Sequence, residues 1–231
     1  MSDRLALRIG SVSAIVGGVL VLIGNIMHPR NPDALNDVEV LLAEATEGVW
    51  VVSHFLILVA LVPLLGAFYG LARSIKSDVG HEWARLGWGV ALVSVALGLV
   101  LVLIDGFAMA DLAEEWAASS GAQQQAALAA ANAVVALGFA FFTGLMLFLF
   151  GAVPVLYGLA ILKSNEYASW LGWVAILAGV LSAVVGVIQL FSGPGTLTAF
   201  VLFPIASIVI TLWIIYLGVL MARQASAVTT A

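Results

Sequence analysis

Six apolar runs of about 20 residues or more, divided by short polar stretches, constrain this chain more than any other feature. They cover residues 8–27, 50–72, 86–108, 132–162, 168–191 and 197–222. A helix rises about 1.5 Å per residue, so about 20 apolar residues cross a hydrocarbon layer about 30 Å thick. The runs therefore predict an all-α integral membrane bundle of six transmembrane helices, a single domain spanning 1–231. Composition agrees: only 9% of the 231 residues are charged and the mean hydropathy is +1.16, too polar-poor to cover a water-facing surface. The absence of Cys removes disulfides, thiolate nucleophiles and Cys-ligated zinc or iron–sulfur clusters. A net charge of −5 leaves no basic footprint for nucleic acid, so the partner implied first is the lipid bilayer.

The first run follows Arg4 and Arg8 as a signal peptide would, but it ends in Asn25-Ile26-Met27-His28-Pro29 with no small-x-small cleavage pattern. It reads as a retained span. Lysine and arginine stay on the cytoplasmic side of a membrane. With six spans and the N-terminus inside, Arg4, Arg8, Arg73, Lys76, Arg85, Lys163 and Arg223 are cytoplasmic and only Arg30 lies outside. Both termini are then expected in the cytoplasm. The outer edge collects Asp33, Asp37, Glu39, Glu44, Glu47, Asp105, Asp111, Glu114 and Glu115, which makes that face acidic.

A repeat is visible in the span ends. Arg85-Leu86-Gly87-Trp88 and Trp170-Leu171-Gly172-Trp173 open odd spans, with a fainter Arg8-Ile9-Gly10; Tyr69-Gly70 and Tyr157-Gly158 close even ones, with a fainter Tyr216-Leu217-Gly218. Three tandem helical hairpins of like orientation are expected. Their outer loops differ. Residues 28–49 hold a short amphipathic segment, with Val38, Leu41, Leu42 and Ala45 at helical spacing, expected to lie at the membrane interface as a lid or rim. In the second hairpin the helical pattern runs past the hydrocarbon, so residues 109–131 are expected to project outward around a Ser119-Ser120-Gly121 turn and to offer a docking surface for a protein partner. Pro63, Pro154 and Pro204 are expected kinks, and Ser192-Gly193-Pro194-Gly195 a tight turn.

Polar groups inside a bilayer are costly, so each one is a functional candidate in need of a partner. His28, His54 and Asp105 belong near one depth at the outer side, and Asn25, Asn132 and Gln189 sit at the outer ends of spans one, four and five. Together they suggest an outward-opening pocket for a small ligand or cation. Glu47 and His54 follow helical spacing, so Glu47 joins the pocket as a possible general base. Two imidazoles and a carboxylate suit zinc or iron(II) with open positions, which makes His28, His54 and Asp105 candidate metal ligands. A bis-histidine haem has only His28 and His54 to use, and no second intramembrane pair exists to carry electrons onward. The plainer alternative is a hydrogen-bonded His54–Asp105 pair that fixes the second span against the third, with His28 capping the first before Pro29. Three function classes stay open: small-ligand or ion binding and transport, a metal-dependent membrane enzyme, and a non-catalytic assembly subunit.

Gly17-Gly18 ahead of His28-Pro29, Arg85-Leu86-Gly87, Asp105-Gly106 and Trp170-Leu171-Gly172-Trp173 together resemble uncharacterised six-helix membrane proteins of actinobacteria and related bacteria. The resemblance implies a multi-pass protein of the bacterial inner (plasma) membrane. It carries no catalytic residues with it.

Overall fold

The computed structural model describes residues 3–31, 33–35, 37–193 and 197–227. Every regular element among them is helical. Helix α1 covers Asp3–Met27, and after a 3-10 turn (Asp33–Leu35) and the short α2 (Val38–Ala45), α3 runs over Gly48–Ser74. Next, α4 (Asp78–Val102), a π-helical turn (Leu103–Ala108) and α5 (Met109–Ala118) join into one rod of 41 residues. A second rod of 41 follows, built of α6 (Ala122–Leu147), another π-helical turn (Phe148–Ala152) and α7 (Val153–Leu162). The chain closes with α8 (Ser169–Ser192) and α9 (Leu197–Ala227). Among the described residues, six helices are long and apolar enough to cross a membrane, and protein covers less than half of the apolar stretch of each. Val12, Ile26, Phe55, Val93, Leu177 and Phe191 remain exposed on that outer surface, as lipid-facing side chains are. The protein is a multi-pass membrane protein.

Helix ends depart from the edges of the apolar runs for a physical reason. Hydropathy marks where a chain meets hydrocarbon, whereas capping marks where a helix starts. The third span begins at Asp78, eight residues before the apolar run at 86, because the Ser77 hydroxyl accepts the Gly80 N–H at 3.2 Å and caps it. The two long rods are as extended as expected: at 1.5 Å per residue each is about 60 Å long, about twice the hydrocarbon thickness. Gly121 turns one into the other at φ +62°, a conformation an L side chain adopts only with strain. Pro154 follows the second π-helical turn, where the ladder has already loosened, and the Met146 carbonyl accepts the Ser182 hydroxyl from α8 at 3.0 Å. Of the expected turn after α8, Ser192 and Gly193 are seen and Pro194-Gly195 lies outside the described residues.

The long helices close into a ring. α1 packs between α3 and α9; α3 packs on α4, α4 on α6 and α7, α7 on α8, and α8 on α9. Glycines set the closest approaches. A Cβ on Gly10 would lie 2.6 Å from the Gly70 Cα, and one on Gly158 2.6 Å from the Gly172 carbonyl oxygen, so these backbones touch directly. All four belong to the recurring span-end signatures. Gly10 also faces Met221 of α9, which brings both ends of the described chain to one end of the ring, the terminal end. That end is solidly packed: Tyr157 donates to the Phe68 carbonyl at 2.8 Å, Tyr167 to the Ser74 hydroxyl at 2.7 Å, and Arg73 and Lys76 hold Asp3 at 3.0 and 2.9 Å.

The opposite, loop end is built differently. Here α2 packs on protein: Leu42 and Ala45 are buried with Trp50 of α3, Met109, Ala110 and Ala113, and Ala131 of α6. Its apolar stripe is legible in the sequence and its partner is not, because the residues that cover it come from α3, α5 and α6. The Asp37 carboxylate caps this helix by accepting the Glu39 N–H at 2.9 Å.

Candidate metal centre

Three elements deliver one side chain each to the loop end of the ring. His28 stands just past α1, whose last carbonyls reach it through its N–H to the Gly24 oxygen at 2.9 Å. His54 stands nearly two turns inside α3. Asp105 stands within the π-helical turn between α4 and α5. The π turn matters for the placement. It inserts a residue into the helical repeat, which turns the side chain inward while α5 continues on toward α2.

The geometry of the three groups is specific. His54 Nδ1 lies 2.8 Å from the Trp50 carbonyl oxygen, and His28 Nδ1 lies 2.7 Å from that of Pro29. Carbonyls only accept, so each Nδ1 carries its ring's hydrogen and each Nε2 presents a lone pair. Those two Nε2 atoms are 3.2 Å apart, and His54 Nε2 is 3.2 Å from Asp105 Oδ2. One ligand atom from each residue falls within 4.8 Å of the others. With both imidazoles neutral, three electron-pair donors converge and nothing between them donates. A cation resolves this arrangement, or a proton shared among them. Burial, followed by the nearby His54, holds the His28 pKa below the ordinary histidine value, which favours the neutral ring.

Neighbouring groups lock the imidazoles in place. The Trp50 indole packs on both, with ring centroids 5.5 Å from His28 and 4.7 Å from His54, and its Nε1–H donates to the Gly106 carbonyl at 3.0 Å. His54 is only 2% exposed. Gly106 leaves the space the ring needs: a Cβ there would fall 2.5 Å from the His54 Cβ and 2.7 Å from its Cγ. Backbone carbonyls on the Nδ1 atoms and an indole clamp are the outer supports that orient metal-binding histidines.

Beneath the cluster the ring encloses a cavity of about 350 Å³. Its mouth is formed by Arg30, Asn31, Leu41 and Glu44, and its walls descend through Leu61, Leu64, Gly138, Phe142, Leu145 and Ile214 to Phe68. The expected pocket residues separate into two groups. Asn25, His28, His54, Asp105 and Gln189 all line this space. Asn25 donates to the Val21 carbonyl at 2.9 Å, and Gln189, buried, donates to the Thr143 hydroxyl at 2.8 Å. Glu47 and Asn132 are exposed and stand outside the lining: Glu47 supplies the backbone cap of α3, and Asn132 donates to the Leu128 carbonyl at 2.8 Å. Glu47 misses the face of His54 because it precedes α3 in extended backbone (φ −80°, ψ 137°), so helical spacing does not reach it; Asn132 lies within α6 but on an exposed face of it. Missed by sequence reasoning were Trp50, Arg30 and Glu44. Arg30 carried a signal, being the one cation expected on the acidic side; it donates to the Asn25 carbonyl at 3.0 Å.

Comparison with known proteins finds no matching family model, no matching curated protein and no matching solved structure.

Proposed function

We propose that this chain is a membrane-embedded metal-binding protein in which His28, His54 and Asp105 hold one divalent ion, zinc or iron(II), whose open positions face the cavity and take a small ligand. The observation that carries this is the convergence of two imidazole Nε2 lone pairs and a carboxylate, with both Nδ1 hydrogens already committed to backbone carbonyls. Two histidines and one carboxylate leave coordination sites free for ligand or water. An ion held this way acts as a Lewis acid or lowers the pKa of a bound water, so the centre is suited to an enzyme as well as to a binding protein. Glu47, exposed away from the cavity, is not used in this reading.

The packed terminal half of the ring, with Leu71, Ile75, Tyr157, Ile161, Leu217 and Met221 all buried, favours a pocket open at one side over a conducting path. We place the loop end outside a bacterial inner membrane and both termini in the cytoplasm, in three tandem hairpins, because seven of the eight Lys and Arg residues gather at the terminal end. A second reading rests on the 3.2 Å His54–Asp105 contact: without a metal, a proton shared by this pair ties α3 to the π turn.

Elemental analysis of the detergent-purified protein separates the two. Near-stoichiometric zinc or iron in wild type, lost in both His54→Ala and Asp105→Asn, is the expected result. Wild-type protein free of metal after growth and refolding with added zinc and iron overturns the metal centre and leaves the proton-sharing pair.

A further inference from the structure

The cavity is longer and more apolar than a metal site needs. From His54 to Phe68 its wall on α3 descends through 14 residues, or about 21 Å at 1.5 Å per residue. Below the level of Asn25 and Gln189 the lining is almost wholly hydrocarbon: Leu61, Leu64, Leu145, Leu149, Phe142 and Ile214 are typical of it. Polar groups gather at the top, where the two imidazoles, Asp105, Asn25 and the Arg30 guanidinium stand; lower down the Ser207 and Thr211 hydroxyls reach the lining, but each donates to a carbonyl of its own helix, Pro204 at 2.9 Å and Ser207 at 2.8 Å. A water-soluble solute has few partners in the lower part, and burying its polar groups there is costly. An object with one polar end and a long apolar chain matches the whole length.

One glycine marks where such an object passes the centre. A Cβ built on Gly138 of α6 meets a single neighbour within 4 Å, the Asp105 Oδ1 at 3.9 Å. Most other buried glycines of the ring are pressed against a neighbouring helix at 3.3 Å or less, as Gly10, Gly70, Gly158 and Gly172 are. Gly138 is buried yet faces open space, directly beside the carboxylate and in the wall of the cavity. Space is kept here, where a larger residue would fill the path between the centre and the apolar shaft.

We propose that the cavity binds a single-chain amphiphile with a carboxylate head, its chain lying along α3 toward Phe68 and its head at the His28–His54–Asp105 centre beside Arg30, with Gly138 as the residue that admits it. Head placement rests on the metal-centre reading above; chain placement rests on the cavity alone. A carboxylate suits the site because it ligates a divalent ion and pairs with a guanidinium. The chain contributes through removal of apolar area from water.

Oleate is the probe. Purified protein in nonionic detergent, metal-loaded and metal-depleted, is titrated with oleate and read by native mass spectrometry and thermal shift. Wild type is expected to hold one oleate per chain and to melt higher with it. Gly138→Leu, which fills the shaft, is expected to lose about tenfold in oleate affinity, the loss from displacing two buried methylene groups. Ala140→Leu, on the exposed face of the same helix, is expected to leave binding unchanged. Should Gly138→Leu fail to fold, Val135→Phe, one turn away in the same cavity wall, repeats the test. Metal content is measured in every sample, so the two readings fail separately. Oleate retained by metal-depleted protein and lost in Gly138→Leu supports the chain site even if no metal binds. Metal present with no oleate adduct, or with equal binding in wild type and both cavity variants, overturns the chain site and leaves the metal centre standing.

Discussion

His54 works because of what three neighbours give up. Trp50 offers its carbonyl, Gly106 omits a side chain, and Asp105 turns inward on a π-helical turn; the imidazole is left with one orientation and a free Nε2. Gly106→Ala is therefore expected to be far more harmful than its single methyl suggests. The added carbon would meet the His54 side chain at 2.5 to 2.9 Å, in a place where neither backbone nor imidazole can yield. Overpacking of this kind costs about 1–3 kcal/mol, seen as a lower melting temperature together with loss of bound metal. Gly138→Ala, with open space before it, is expected to change neither by a measurable amount. Sequence alone reached the three ligands through depth: His28, His54 and Asp105 sit at matching distances from their span ends, and polar groups in lipid need each other. It did not reach Glu47 and Asn132 correctly, because the spacing of Glu47 to His54 holds only if α3 starts before residue 48, and because depth leaves the rotation of α6 about Asn132 undetermined. Nor did it reveal Trp50, whose indole is unremarkable as one of several aromatic residues near a span end.

At the level of elements, the first π-helical turn and α2 are what shape the loop end. The amphipathic pattern of residues 38–45 told which side of α2 is apolar but not what would cover it; the partner turned out to be Met109, Ala113 and Trp50. Periodicity is a property of one segment, and packing is a property of two. The π turns were invisible for the same reason, since inserting one residue into a helix leaves no compositional trace beyond Asp105-Gly106 and Gly151 near Pro154. Leu42, fully buried, anchors α2 over the cavity mouth that Leu41 and Glu44 help to form. Leu42→Ala is expected to cost about 2–5 kcal/mol locally, releasing α2 without unfolding the ring. Limited proteolysis reads this out: faster cleavage within residues 37–47 at unchanged helical content is the expected result, and unchanged cleavage speaks against α2 as a docked element.

Across the whole molecule, the bundle was the most legible feature, since six apolar runs in a charge-poor chain leave no other architecture. Ring closure was less so. The span-end glycines appeared as markers of a repeat, and the structure gives them a physical role as points of backbone contact between α1 and α3 and between α7 and α8. Gly10→Leu and Gly158→Leu are accordingly expected to prevent recovery of monodisperse protein, while Gly89→Leu, on an exposed face with nothing within 4 Å of its Cβ, is expected to purify as wild type does and to melt no lower. Size-exclusion profiles and melting curves of the three variants make the comparison.

Ring closure also fixes an order of events during synthesis. The wall of the cavity contributed by α9, with Phe203, Ser207, Ile210 and Ile214, comes from a helix made after α1, α3, α4, α6, α7 and α8, and α9 must find α1, which is made before them. Until it does, the shaft is a groove open to the bilayer, and lipid tails occupy it as they do any helix surface. The docking of α9 is thus an act of enclosure. Whatever apolar chain lies in the groove when α9 docks is either expelled into the membrane or kept, so the protein's first occupant is chosen by its own biogenesis.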